Sequence, residues 1–347
     1  MSASIKDVAR RAGVSTATVS RVLSNKPQVS ENAHRRILAA MEELDYQPSR
    51  VARSLRVQRS KIIGLIISDI QNPFFNTLAR AIEDRAYDHQ YAVFLCNSDE
   101  DIEKEKLYIE LMQAERVAGV MLSPTRETAN PCKKLIKANV PVVVIDRELT
   151  DLDVDTVWVD NLAGSFELIS HIIDDGHRRI GAVLGTPTAA TGRERYEGYV
   201  RALTNRDLQV LPELLRTGIP KKAIGYKLAG ELLDLPEPPT ALFTGNNLLT
   251  EGAVRAIQDR GRRIPEDIAL VAFDELDWMS LIKPALTVVA QPTYELGQTA
   301  ADLLLKRIEG STHPPQKIVL KPNLIVRQSC AHHIEERPRT MKPVLAK

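Results

Sequence analysis

Residues 5–23, IKDVARRAGVSTATVSRVL, followed at 48–56 by PSRVARSLR, decide what kind of molecule this is. Ser4 stands just ahead of the first stretch with Asp7 in its first turn. Such a hydroxyl accepts from an exposed backbone N–H, and such an acid suits the positive end of a helix. Ile5, Val8, Ala9 and Ala12 then recur at i, i+3, i+4 and i+7, which predicts one apolar helix face. Gly13 ends that helix because it takes a positive φ without steric penalty. Ser15 is placed to cap a second helix with Val19, Val22 and Leu23 on its apolar side. Two short helices across a glycine turn make a helix-turn-helix, whose second helix enters the major groove. Its outward side carries Thr16, Ala17, Ser20 and Arg21. Arg21 suits a bidentate contact to a guanine edge, and Thr16 and Ala17 offer methyl or hydroxyl contacts. A third helix is predicted from a Ser30 cap, with Ala33, Ile37, Met41 and Leu44 as its stripe. Taken alone, GVS is equally a turn in an ordinary helical bundle.

Charge weighs against the bundle. Residues 1–60 hold eleven Lys/Arg and five Asp/Glu, a net +6, whereas the whole chain is +1, so the remainder carries −5. A basic head on an acidic body is the asymmetry expected where one end meets phosphate. Residues 49–56 add Arg50, Arg53 and Arg56 at i, i+3 and i+6, a segment too short to be a stable helix alone in water. It is read as a hinge helix that folds against DNA and a partner copy. Leu55 is either an apolar wedge for a minor-groove base step or a linker residue packed on its own core.

These motifs, with VSENAHRRILAAMEELDYQPSRVARSLR, resemble the DNA-binding head of the LacI/GalR family of bacterial repressors. The similarity continues through DIQNPFF, VIDRE, RERYEGY, NNLLTEGAVRAI, RRIPEDIALVAFDE and LTVVAQP, to about Ser329. It implies that Thr16, Ala17 and Arg21 are base-reading positions and that Leu55 is the intercalating hinge leucine.

The expected fold class is a small all-α helix-turn-helix head followed by an α/β body of two doubly wound parallel-sheet lobes. From Lys61, short apolar runs alternate with amphipathic helices: 62–67, 92–96, 119–122 and 142–145, then 180–184, 240–243 and 268–273. Two such series imply two lobes. The expected boundaries are 1–48 for the head, 49–60 for the hinge, 61–330 for the body and 331–347 for a mobile tail. Within the body the first lobe takes 61–160 plus 292–330, and the second 161–291.

Ligands in such sheets sit beyond the carboxyl ends of the strands, here between the lobes. Asp69, Asn72, Phe74, Phe75, Asp146, Arg147, Arg193, Arg195, Asn246, Asn247, Asp274 and Gln291 follow those ends. Aromatic faces with Asp, Asn, Arg and Gln suit a polyhydroxylated ring. The resemblance implies a fold like periplasmic ribose-binding protein, with Asn72, Phe74, Phe75, Asp146, Arg147, Arg195, Asn246, Asp274 and Gln291 as sugar contacts. Pro220 stands where many relatives have an aromatic, and Asn247 where an Asp is usual. Asp146–Arg147 reads alternatively as a structural ion pair, Phe75 as packing under the strand, Asn247 as a helix cap and Arg193 as solvated. Trp278 either closes the cleft or packs within a lobe.

With 44% hydrophobic residues the chain can bury a real core. No apolar run spans a membrane and no secretory segment opens the chain, so a cytoplasmic location is expected. Cys96, Cys132 and Cys330 are far apart, without CxxC, and read as reduced thiols. The seven histidines show no ligand spacing in sequence, so neither metal nor cofactor is expected. GTPTAATG lacks the GK[ST] of a P-loop, and no GxSxG, HExxH or strand-borne GxGxxG occurs, which argues against an enzyme.

The predicted function is a sequence-specific transcriptional regulator, a repressor, controlled by a sugar-like effector in the inter-lobe cleft. Its expected partners are pseudo-palindromic operator DNA, a small-molecule effector and a second copy of itself, with no membrane. The tail has no leucine heptad, so a dimer is favoured over a coiled-coil tetramer. The alternatives are a purine-type corepressor, or a sugar receptor without a transcriptional role.

Overall fold

The structure, a computed structural model, describes residues 3–23, 29–46, 60–127 and 131–330. The hinge reading, with Arg50, Arg53 and Leu55, and the tail reading fall outside the described residues. Contacts divide the chain into two units, 1–60 and 61–347.

In the first unit, α1 (Ile5–Ala12) opens with a capping box between Ser4 and Asp7 and closes on Gly13, at φ 62°. The Ser15 hydroxyl accepts from Thr18 N–H at 3.1 Å at the start of α2 (Thr16–Leu23). Ser30 caps α3 (Glu31–Glu43). Val8, Ala9, Ala12, Val19, Val22, Ile37 and Ala40 are buried together, with Met41 and Leu44 packed at the edge. Ala40 was missed, and Ala33 is only half-buried. Arg11 ties α1 to α3 through Glu43, at 2.7 Å.

The second unit holds two six-stranded sheets. The first contains β1 (Ile62–Ile67), β2 (Ala92–Asn97), β3 (Gly119–Leu122), β4 (Val142–Ile145), β5 (Asp155–Val159) and β11 (Lys317–Leu320). The second contains β6 (Ile180–Leu184), β7 (Leu215–Thr217), β8 (Ala241–Thr244), β9 (Ala269–Phe273), β10 (Thr287–Ala290) and β12 (Asn323–Ile325). Their strand orders, β11-β5-β4-β3-β1-β2 and β12-β10-β9-β8-β6-β7, correspond strand for strand. All pairings are parallel except β12 with β10, which is antiparallel.

That last strand corrects the expected boundary. Residues 323–330 belong with the second sheet rather than the first lobe, because β12 pairs with β10 and Ser329 bonds Leu270 and Thr287. Residue spacing could place Lys317–Leu320 but not a three-residue strand.

Each sheet is covered on both faces, as a parallel sheet with buried Val/Ile/Leu runs requires. In the first lobe, α4 (Pro73–Asp88) and α12 (Thr293–Ile308) cover one face, and α5 (Ile102–Ala114) with α6 (Lys133–Lys137) the other. In the second, α7 (Asn161–Asp174) and α8 (Ala190–Thr204) lie on one face, and α9 (Lys222–Leu233) with α10 (Asn247–Asp259) on the other. Trp278, in the short α11 (Asp277–Leu281), packs against this last cluster and so serves lobe packing.

Candidate functional site

On α2, Thr16, Ala17 and Arg21 are exposed and Ser20 is half-buried, while Val19 and Val22 of the same helix face the core. The helix therefore presents the four residues expected to read DNA on the side that its own packing leaves open.

The other site lies between the lobes of the second unit. All nine residues expected to contact a ligand line one cavity of about 70 Å³, together with Asp69, Glu100, Thr191 and Lys221. The cavity opens past Arg147, Gly192 and Pro220 into a wider vestibule bounded by Thr125, Arg126 and Arg193. Gly192 matters to this wall: a Cβ there would lie 2.5 Å from the Thr186 carbonyl.

Two of the acids are delivered by the same device. Asp146 follows β4 and Asp274 follows β9, both in the left-handed region, at φ 70° and 78°. Each donates its backbone N–H to the neighbouring strand, to Val157 O and to Val289 O, both at 2.9 Å. Asp tolerates this conformation better than most residues, and its cost, on the order of 1 kcal/mol, turns the side chain off the strand axis into the cleft.

Their surroundings differ. Asp274 accepts from Gln291 Nε2 at 2.5 Å and from Asn247 N–H at 3.1 Å. Asp146 accepts one long hydrogen bond, from Ser123 Oγ at 3.3 Å, although it is only 8% exposed. Burial pushes the Asp146 carboxyl above the usual range, with the Arg147 and Arg195 guanidinium groups pulling it back. Arg147 is not its close partner. It donates to both oxygens of Glu100, at 2.8 and 2.5 Å, and to Pro124 O at 2.9 Å, while Asp146 Oδ2 stands 3.4 Å from its Nε. The Asp146–Arg147 ion pair is thus present but long, and Arg147 makes a second, closer pair with Glu100, which lies in a different loop.

Arg195 donates to Asn161 Oδ1 at 3.0 Å and to Gly245 O at 2.5 Å, and stacks 3.8 Å over the Phe273 ring. Its burial lowers its pKa. Phe74 and Phe75 meet edge to face with centroids 5.0 Å apart, and both line the cavity, so Phe75 does more than pack beneath the strand. Asn246, not Asn247, caps α10, through Leu249 N–H at 2.9 Å.

Three contacts cross the cleft. Lys221 Nζ reaches Asp69 Oδ2 at 2.7 Å, Asn247 Nδ2 reaches Asn72 Oδ1 at 2.7 Å, and Arg193 pairs with Glu127. Arg193 is therefore engaged rather than solvated. Lys221 and Glu100 escaped the sequence reading. Lys221 follows β7, too short to register as a strand, and nothing local marks Glu100 as the partner of Arg147.

A helix-turn-helix unit joined to a two-lobed cleft defines a DNA-binding regulator that responds to a small molecule. Residues 4–49 match the model for bacterial regulatory proteins of the lacI family, and 169–330 that for a periplasmic binding protein-like domain. The chain is 36% identical to the HTH-type transcriptional repressor PurR of Yersinia pestis bv. Antiqua, over 95% of this chain and 97% of that one. Among solved structures it resembles a LacI family transcriptional regulator from Enterococcus faecium with bound ribose (32% identity, TM-score 0.70, 77% of this chain and 98% of that one). It also resembles the lac repressor dimer bound to operator and the anti-inducer ONPF (28% identity, TM-score 0.83, 96% and 100%). The chain belongs to the lacI family of bacterial regulatory proteins. It is a DNA-binding transcriptional repressor under effector control and not an enzyme. Among the described residues, no helix is long and apolar enough to cross a membrane.

Proposed function

We propose that this repressor works as a dimer on a pseudo-palindromic operator and that its effector is a neutral monosaccharide. The observation that carries the effector reading is Asp146, a buried carboxylate with one long hydrogen bond, facing a small cavity beside Phe74 and Phe75. A sugar hydroxyl donates to such an acceptor, while the apolar face of the ring packs on phenylalanine. The cavity has room for on the order of five waters, which fits a single ring. Its lining carries five carboxylates (Asp69, Asp99, Glu100, Asp146, Asp274) against three cations (Arg147, Arg195, Lys221), so it disfavours a sugar phosphate or acid. The relative with bound ribose supports the same class.

In this reading Asp146, Phe74, Phe75 and Arg195 meet the sugar directly. Asn72, Arg147, Asn246, Asp274 and Gln291 complete the wall, most of them already holding one another. Thr16, Ala17, Ser20 and Arg21 read the major groove, and Arg50, Arg53 and Leu55 the minor groove between half-sites. The dimer reading draws on apolar side chains exposed at the edge of the first lobe. Phe94 and Leu95 on the edge strand β2 are 45% and 43% exposed, and Leu107 and Leu111 on α5 are 60% and 45%. A second copy of the chain would cover them. Effector control requires that the sugar bind one lobe arrangement better than another. The three cross-cleft contacts are the groups with which it competes.

The test is fluorescence anisotropy of symmetric half-site DNA with a central CG step, with and without pentoses, hexoses, sugar acids, sugar phosphates and purine bases. One neutral monosaccharide should change operator affinity at least about tenfold, a coupling within the usual allosteric range. Arg21→Ala should lose sequence preference more than non-specific binding. The relatives named PurR favour a second reading, a purine-type corepressor. Tightening by a purine base alone would establish that reading instead. If no palindrome binds above the salt-sensitive background, the head reading fails.

A further inference from the structure

Away from the cleft, on the far side of the second lobe, three side chains that no step above uses point their donor atoms at one spot. His171 and Asp175 sit one helical turn apart at the end of α7, which puts them on one face. Cys330 comes from the other end of the sequence. It is held there because Ser329 accepts from Thr287 N–H at 2.8 Å and donates to Leu270 O at 2.5 Å. Among the described residues this is where three His, Cys, Asp or Glu donor atoms come within 4.8 Å of one another.

The distances discriminate between the uses of such a trio. Cys330 Sγ lies 3.5 Å from His171 Nε2, and Asp175 Oδ2 lies 3.5 Å from the same nitrogen. In a nucleophile triad, histidine turns one nitrogen to the thiol and the other to the carboxylate. Here one nitrogen faces both, and it carries or accepts a single proton. Around a tetrahedral zinc, with N and O at about 2.1 Å and S at about 2.3 Å, ligand atoms stand about 3.4–3.6 Å apart. Both observed edges match that spacing. Access fits as well: Cys330 is 1% exposed, but the side chains of His171 and Asp175 keep 23% and 30% of their surface, so an ion enters from their side.

We infer that His171, Asp175 and Cys330 form a binding site for a thiophilic divalent cation, zinc foremost, clamping α7 to the chain after β12. A sequence scan predicts no metal because these ligands lie 4 and 155 residues apart along the chain. The sequence also runs on as His332 and His333, outside the described residues, so the experiment must separate this trio from a histidine pair.

The experiment titrates full-length protein with Zn²⁺ against a chromophoric chelator, and with Co²⁺ followed by absorption. The expected result is a single zinc per chain and a thiolate-to-cobalt charge-transfer band. His171→Ala and Asp175→Asn should each weaken zinc binding at least about tenfold, the lower limit for losing even an outer-shell partner. Cys330→Ser should abolish the charge-transfer band. Because Cys330 is buried and its variant can unfold, the decision rests on the two half-exposed positions, with far-ultraviolet circular dichroism confirming their fold. Zinc should be retained by a His332→Ala/His333→Ala variant; its loss there with retention by His171→Ala would assign the ion to the histidine pair and overturn the inference. Zinc retained by His171→Ala and Asp175→Asn, or no binding by the wild type, overturns the inference.

Discussion

The two lobes repeat one strand order and one way of aiming an aspartate into the cleft, but they use the carboxylates differently. Asp274 in the second lobe is saturated by Gln291 and Asn247, and so fixes the wall. Asp146 in the first lobe is as deeply buried, yet holds one long hydrogen bond and stands 3.4 Å from Arg147, whose better partner is Glu100. A duplicated scaffold thus carries one carboxylate committed to its own wall and one that, in the function proposed above, is left for the effector. Burying an under-partnered carboxylate costs stability, and a ligand hydroxyl can return what folding withheld.

Replacement separates the two roles most sharply. Asp146→Asn should weaken effector binding about 10- to 100-fold, the scale of a hydrogen bond to a charged group, while the denaturation midpoint stays level or rises. Calorimetry with the effector and urea denaturation check both halves. Asp274→Asn should do the reverse, costing about 1–3 kcal/mol of stability by leaving a buried partner unmatched, with the smaller loss in affinity. If Asp274→Asn bound the effector far more weakly at full stability, the contrast would collapse.

A smaller effect is expected from Lys221→Met, which removes the cross-cleft bridge to Asp69. Lys221 keeps 38% of its side-chain surface, so screening limits the pair to about 0.5–1 kcal/mol. Effector affinity should shift a few-fold, and the shift should shrink at high salt. The smallest signal is pH dependence. In the free protein the Asp146 pKa is raised above 3.8, so its charge penalises the fold above that pKa, and the penalty lifts as pH falls through it. A donating hydroxyl favours the charged form, so effector affinity should fall over the same acid range, with protons released on binding. Calorimetry in two buffers of different ionisation enthalpy measures that release.

Much of this was legible in the sequence for a simple physical reason. Buried parallel strands read as unbroken apolar runs, and the polar residue that ends a run is where the cleft begins, which marked Asp69, Asp146 and Asp274. Helix caps announced themselves at Ser4, Ser15 and Ser30. What stayed hidden depended on tertiary neighbours. Glu100 meets Arg147 across 47 residues, Lys221 meets Asp69 across 152, and Cys330 meets His171 across 159. Chain spacing carries no trace of such pairs. Asn246 and Asn247 show the limit at close range: adjacent identical residues, of which one caps the helix and the other crosses the cleft.

The late arrival of β11 and β12 also has a consequence during biosynthesis. Neither sheet can be completed until residues 317–325 have been made. The head's three described helices end at Glu43, about 270 residues earlier. At about 5–20 residues per second, a nascent chain carries a finished DNA-reading helix for on the order of 15–55 s before its controlling cleft can exist. A single head in that interval can reach only the weak, salt-sensitive affinity that phosphate contacts supply.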